Sequence, residues 1–229
     1  MDLSPLSPAR ARVDHLVVMA ASIEEGVAWS EAVLGVTPAP GGQHAFMGTH
    51  NRLLHIASAG YERAYLEIIA IDPQAPAPAR RRWFDMDSPD LRQRIATHGP
   101  QLTHFVTRVS DVTSAAGAWR TLGLDAGKVL PASRMTPQGE LRWQITIRED
   151  GVRLFDGALP TLIEWGPNHP TARMPPSDIR LESLEVRHPA HQELAAAYAA
   201  IDLRDVLTHP GEPGLAATLR TPKGLVTLR

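Results

Sequence analysis

The chain has 229 residues, 43% hydrophobic and 21% charged, with a net charge of −2 and no cysteine. That length carries one large domain or two small ones with real cores. The near-neutral charge gives no electrostatic case for nucleic acid or a membrane surface, and without cysteine there are no disulfides, thiolate metal ligands or cysteine nucleophiles.

The first ordered stretch reads RVDHLVVMAAS, Arg12 to Ser22. Val13 to Met19 is an apolar run of strand length. Ser22 opens SIEE, a capping box with Glu25 three residues on, and the helical spacing of Ile23, Val27 and Leu34 ends at Gly35. Three strands are predicted next, around His44 to Gly48, Arg52 to Ala57 and Tyr65 to Ile71, with APGG and SAGYE as turns. The order is β-α-β-β-β.

The Pro/Ala run from Asp72 to Ala79 is predicted to be an extended connector. Ser88-Pro89-Asp90 starts a short helix, Pro89 to Thr97, closed by Gly99. LTHFVTRVSDV at Leu102 to Val112 then repeats the opening. His104 stands where His15 stood, Asp111 caps, and a helix over Ala115 to Leu122 ends at Gly123. Strands are predicted at Lys128 to Met135, Leu141 to Arg148 and Thr161 to Trp165, with TPQGE as a hairpin turn. Both closing strands carry a mid-strand carboxylate, Glu67 in AYLEIIA and Glu164 in TLIEWG, which makes this an internal repeat.

A fainter third copy follows: strand IRLESLEVRHP, a helix over Ala190 to Ile201, and a hairpin turning at Thr221 to Gly224. Ser183 replaces the histidine, and the last strand has no carboxylate. The expected class is α+β: paired βαβββ units forming a curved-sheet cup, with a third partial unit. The divisions are 1–71, a linker at 72–100, 101–170, and 178–229. The third unit should either cap the cup or pair with its counterpart in a homodimer, the latter being favoured because half a sheet exposes an apolar face and an edge.

Strand alternation places His15 on one face with Val13 and Val17, and Glu67 with Tyr65 and Ile69, with His104 and Glu164 following suit. If the units pair pseudo-symmetrically, two histidines and two glutamates meet, a set that suits divalent Zn, Ni, Co, Mn or Fe. The stretches DHLVV, GGQHAFMGTHNRLLHI, YLEIIAIDP, RRRWF and LIEWG resemble the vicinal-oxygen-chelate superfamily of glyoxalases, bleomycin-resistance proteins and extradiol dioxygenases, and within it the bacterial glyoxalase-like domains. The resemblance implies a metal held by His15, Glu67, His104 and Glu164, chelating vicinal oxygens of a small substrate. Glu67 or Glu164 would then act as general base in a lyase or isomerase.

Two other readings stay open. One is a metal-free binder that sequesters an aromatic or hydrophobic compound in the cup. The other is an extradiol dioxygenase holding Fe(II) with His15, His104 and one glutamate. His44 is a candidate substrate contact. Arg134, Arg142 and Arg148 are candidates for a substrate carboxylate, with Arg142 chosen. Trp165, beside Glu164, is read as core on the opposite face. No phosphate loop, nucleophile elbow or dinucleotide fingerprint is present. No apolar run reaches membrane-span length, and Met1–Pro8 lacks a signal-peptide core, so a cytoplasmic location is expected. Lysine occurs only at Lys128 and Lys223 amid many arginines, with much Ala and Pro, which suggests a bacterial GC-rich genome.

Overall fold

The computed structural model describes residues 10–136 and 139–229. The first repeat runs β1 (Arg12–Met19), α1 (Ile23–Val33), β2 (Ala39–His44), β3 (Thr49–His55) and β4 (Tyr65–Ile71). The connector holds α2 (Pro89–His98). The second repeat runs β5 (Gln101–Arg108), α3 (Val112–Thr121), β6 (Lys128–Thr136), β7 (Gly139–Ile147) and β8 (Thr161–Trp165). Both repeat helices start and stop as their sequences dictate. Ser22 accepts from the Glu25 amide, while the Glu25 carboxylate accepts from the Ala21 amide. Asp111 accepts from the Ser114 amide. Gly35 and Gly123 follow the two helices with the same φ of +77°, a left-handed backbone that glycine adopts without strain.

These strands form one eight-stranded sheet in the order β2-β3-β4-β1-β5-β8-β7-β6. Within each repeat the first and last strands lie parallel, β1 with β4 and β5 with β8. At the centre β1 runs antiparallel to β5, which joins the repeats as mirror-ordered halves. The sheet curls into a half-barrel. Its concave face carries Val17, Ile69, Val106, Trp143 and Ile163, while its convex face carries Leu16, Leu66, Phe105 and Leu162 beneath the repeat helices.

One predicted strand is displaced. β2 runs through Pro40-Gly41-Gly42, and residues after His44 form the turn into β3. Because β2 is an edge strand, a proline and a bulge cost it little, and the ladder slips between Pro40 and Gln43. Glycine is needed here: a Cβ on Gly41 would lie 2.5 Å from the Asn51 carbonyl oxygen. In the second repeat Thr136 pairs with Gly139, and the tip of the predicted TPQGE turn, residues 137–138, lies outside the described residues.

The third unit comprises β9 (Arg180–Arg187), α4 (His191–Ala200), β10 (Leu207–His209), β11 (Gly214–Thr221) and β12 (Gly224–Leu228), in a separate sheet ordered β10-β9-β11-β12. It neither caps the cup nor leaves its apolar face open. Leu181, Leu184, Val186, Ala217 and Leu219 pack into the convex-side core with Phe105 and Trp119. Side-chain hydrogen bonds fasten it there. Trp119 Nε1 donates to the Ala197 carbonyl (2.7 Å), Tyr198 Oη to Ala158 (2.5 Å) and Tyr61 Oη to Asp205 (2.9 Å). The uncovered face that favoured a homodimer is therefore already covered within one chain.

Candidate functional site

The central strand pair creates the site through an irregularity. In the β1–β5 ladder Val13 faces Thr107 and His15 faces Val106, so Asp14 is an extra, bulged residue. Its fully buried carboxylate collects three N–H donors: His15 Nδ1 on Oδ1 at 2.7 Å, and His169 Nε2 and Trp165 Nε1 on Oδ2 at 3.0 and 3.1 Å. Burial alone would raise the pKa of this group. The hydrogen bonds from His15 and His169 outweigh it and hold the Asp14 carboxyl well below the usual range. Since a carboxylate only accepts, His15 carries its proton on Nδ1. Nε2 is thereby turned toward the concave face, where Glu67 Oε2 lies 3.7 Å away, beyond hydrogen-bond range. Tyr65 stacks on the imidazole with ring centres 4.5 Å apart.

Glu67 is fixed from the other side. The Gly42 amide donates to Asn51 Oδ1 (2.8 Å), which leaves Asn51 Nδ2 to donate to Glu67 Oε1 (2.5 Å). His44, oriented through Nδ1 to Thr49 Oγ1 (3.0 Å), adjoins the same amide. Burial is the main cause that pushes the His44 pKa down to about 4, so its ring is neutral. His15, Glu67 and His44 therefore share one cavity.

The second repeat does not mirror this arrangement. His104 donates from Nδ1 to the Gly157 carbonyl (3.0 Å), and its Nε2 lone pair accepts from the Thr161 amide (3.2 Å). Burial, reinforced by Arg153, pushes its pKa down to about 3. Glu164 projects to the helix side and accepts from the Val112 amide at the start of α3. The alternation was read one residue out: in β8 the inward residues are Ile163 and Trp165, so Trp165 lines the cup and Glu164 leaves it. Among the described residues no group of three or more His, Asp or Glu is placed to hold a metal. The predicted quartet thus does not fit one, because His104 has no free lone pair and Glu164 is on the other face. Arg142 pairs with Glu140 and lines the wider groove along β6 and β7 rather than the His15 cavity.

The cavity around His15 measures ≈ 40 Å³, space for a few water-sized groups, and is walled by Tyr65, Trp83, Phe84, Trp143 and Trp165. Two of these come from the connector. Trp83 and Phe84 stack at 5.2 Å and pack into the concave core. Phe84 and Asp85 hold left-handed φ values of 59° and 57°, fixed by the Asp85 amide on the Gly151 carbonyl and by the Arg153–Asp85 ion pair. Beyond Trp143 and Trp165 a wider groove of ≈ 460 Å³ opens along β6 and β7. Sequence reading missed Asp14, Asn51 and His169. Asp14 was concealed by the bulge, and Asn51 and His169 by contacts remote in sequence. The dipeptide Asp14-His15 was visible, but regular alternation assigns its members to opposite faces.

The sequence profile of the "Glyoxalase-like domain" family matches residues 13–201. No curated protein matches the chain. Among solved structures, a hypothetical protein from Staphylococcus aureus is similar at 13% identity and a TM-score of 0.58, over 95% of this chain and 84% of that one. A single-residue variant of Streptomyces coelicolor methylmalonyl-CoA epimerase, in complex with 2-nitronate-propionyl-CoA, aligns at 17% identity and a TM-score of 0.43, over 69% of this chain and 96% of its own. By the match to most of its length, and by the paired βαβββ architecture that accompanies it, this chain belongs to the glyoxalase-like domain family of the vicinal-oxygen-chelate superfamily.

Proposed function

We propose that the protein is a proton-transfer enzyme of the isomerase or lyase type, acting on a small oxygenated molecule with His15 as base and Glu67 as its acid–base partner. The observation that carries this reading is the Asp14–His15–Glu67 arrangement. A buried ionised carboxylate holds one imidazole nitrogen, and the other faces a small aromatic-walled cavity beside a second carboxylate. In the reaction a C–H bond next to a carbonyl breaks. Its proton moves to His15 Nε2 and its electron pair onto the carbonyl oxygen as an enolate. Return of a proton from His15 or Glu67 to the opposite face of the same carbon completes an epimerisation. Where that carbon carries a hydroxyl, transfer of the hydroxyl proton to the enolate oxygen lets the proton return to the former carbonyl carbon and completes an aldose–ketose-type isomerisation. Asp14 stabilises the imidazolium in between. No step is assigned to a metal, since the quartet expected to hold one is not assembled.

The test is solvent hydrogen exchange. Small 2-oxo acids and hydroxyketones incubated with the protein in D₂O should lose carbonyl-adjacent proton signals, and His15→Asn should slow this by about 10²–10⁴-fold. Equal exchange by wild type and His15→Asn would sink the proposal. A non-catalytic binder is the second reading, supported by the same wall of Tyr65, Trp83, Phe84, Trp143 and Trp165. Under it, aromatic ligands raise the melting temperature while no exchange occurs. The dioxygenase reading requires His104 as a ligand, and its lone pair is occupied.

A further inference from the structure

Two donors in the wall of the His15 cavity have no acceptor among the described residues: Arg134 Nη1 and Trp83 Nε1, both buried. Guanidinium and indole nitrogens only donate, so neither can satisfy the other. Leaving a buried donor unpaired is costly, and charged donors cost most. The natural relief is a ligand that presents acceptors.

Arg134 also differs from the other arginines of the β6–β7 hairpin and the loop that follows it. Arg142 pairs with Glu140, Arg148 with Asp150, and Arg153 with Asp85. Arg134 has no such ion pair among the described residues, and the cup's own acids are committed. Asp14 is held by His15, His169 and Trp165, and Glu67 by Asn51. From β6, at one edge of the sheet, Arg134 reaches across to β2, at the other edge. A Cβ on Gly42 would stand only 2.1 Å from its Nη1, so the bare glycine backbone makes room for the guanidinium. The charge lies close enough to bear on both His44 and Tyr65.

We propose that Arg134 and Trp83 form an anion-binding end of the cup, and that the molecule bound there is a small 2-oxo acid whose carboxylate accepts from both donors. The inference rests on the proton-transfer reading for the identity of the carbon acid. A carboxylate so held places the adjoining keto group and its carbon neighbour in the cavity shared with His15 and Glu67. The ≈ 40 Å³ of space there restricts the reacting end to a few heavy atoms. A larger substituent passes Trp143 and Trp165 into the ≈ 460 Å³ groove.

The experiment uses two matched pairs, pyruvate with pyruvamide and phenylpyruvate with its amide, titrated into the full chain by calorimetry. The same 2-oxo acids are followed in D₂O for exchange at C3. At least one acid should bind at least about tenfold more tightly than its amide, the scale of a charge-assisted hydrogen bond. Arg134→Gln should abolish that preference and Arg134→Lys should keep part of it. Trp83→Phe should weaken the acid several-fold. His15→Asn should retain the preference. If acid and amide bind alike, if neither acid binds at roughly 10 mM, or if the preference survives Arg134→Gln, the proposal is overturned. If the preference depends on Arg134 but wild type exchanges no C3 protons, the anion site stands and the proton-transfer reading falls.

Discussion

Glu164 Oε2 stands 2.9 Å from the backbone nitrogen of Val112, so the carboxylate of the second repeat serves the first turn of α3. An anion there meets an otherwise unpaired amide and the positive end of the helix dipole. Glu164→Ala should therefore cost about 0.5–2 kcal/mol in urea unfolding and leave hydrogen exchange of bound carbon acids intact. Glu67→Gln should do the reverse, with exchange slowed and stability little changed. Loss of exchange in Glu164→Ala with normal stability would return that carboxylate to the cup.

The unassembled quartet makes a prediction about metals. A site filled at 100-fold above its dissociation constant would add about 2.7 kcal/mol of stability. Chelator-treated protein supplied with Zn, Ni, Co, Mn or Fe(II) should instead melt where it did before. A stoichiometric metal lost together in His15→Ala and His104→Ala would refute this.

The buried histidines set a pH slope. His104 and His44 are pushed from 6.5 down to about 3 and about 4 in the folded chain. Folding thus opposes their protonation, and the unfolded state binds more protons below pH 6.5. Their stabilising contribution is full above pH 6.5 and declines as pH falls toward 4, then toward 3 for His104. Asp14, with its carboxyl held low, adds a loss that begins only below the ordinary aspartate range near about 4. Melting temperature against pH should show this decline, and His104→Asn, though less stable overall, should flatten it between about 6.5 and 4. An unchanged slope in that variant would contradict the assignment.

The third unit is structural cover. Trp119 is wholly buried between the repeat sheet and α4, so Trp119→Ala should cost about 3–5 kcal/mol. Deleting residues 178–229 exposes Leu16, Leu66 and Phe105 neighbours on the convex face. Size-exclusion chromatography should find aggregated or insoluble protein. A well-behaved truncated monomer would contradict this packing.

The architecture was legible because the repeat is written in local chemistry. The Ser22 and Asp111 caps, the Gly35 and Gly123 stops and the apolar strand runs each act within a few residues. Parity was less secure. A period of two amplifies a one-residue misreading into the opposite face, which is how Glu164 and Trp165 exchanged places. β2 was hidden because Pro40-Gly41-Gly42 has the composition of a turn, although an edge strand tolerates it. His15, Glu67 and His44, each singled out from the sequence, line one cavity. Asp14 and Asn51 were not singled out, because a bulge and a cross-strand amide are properties of pairing.

Duplication gave this protein two copies of a fold but not two copies of its chemistry. The wall of the cavity includes Trp83 and Phe84, which lie in the joint between the copies and have no counterpart in either. A doubled domain of this kind has a natural place to diversify. Changing the connector alters what the cup admits without disturbing the strand pairs that hold His15 and Glu67. Across proteins built on this plan, the segment that corresponds to residues 72–100 should be where selectivity is rewritten, while the paired halves keep the His15–Glu67 geometry in register.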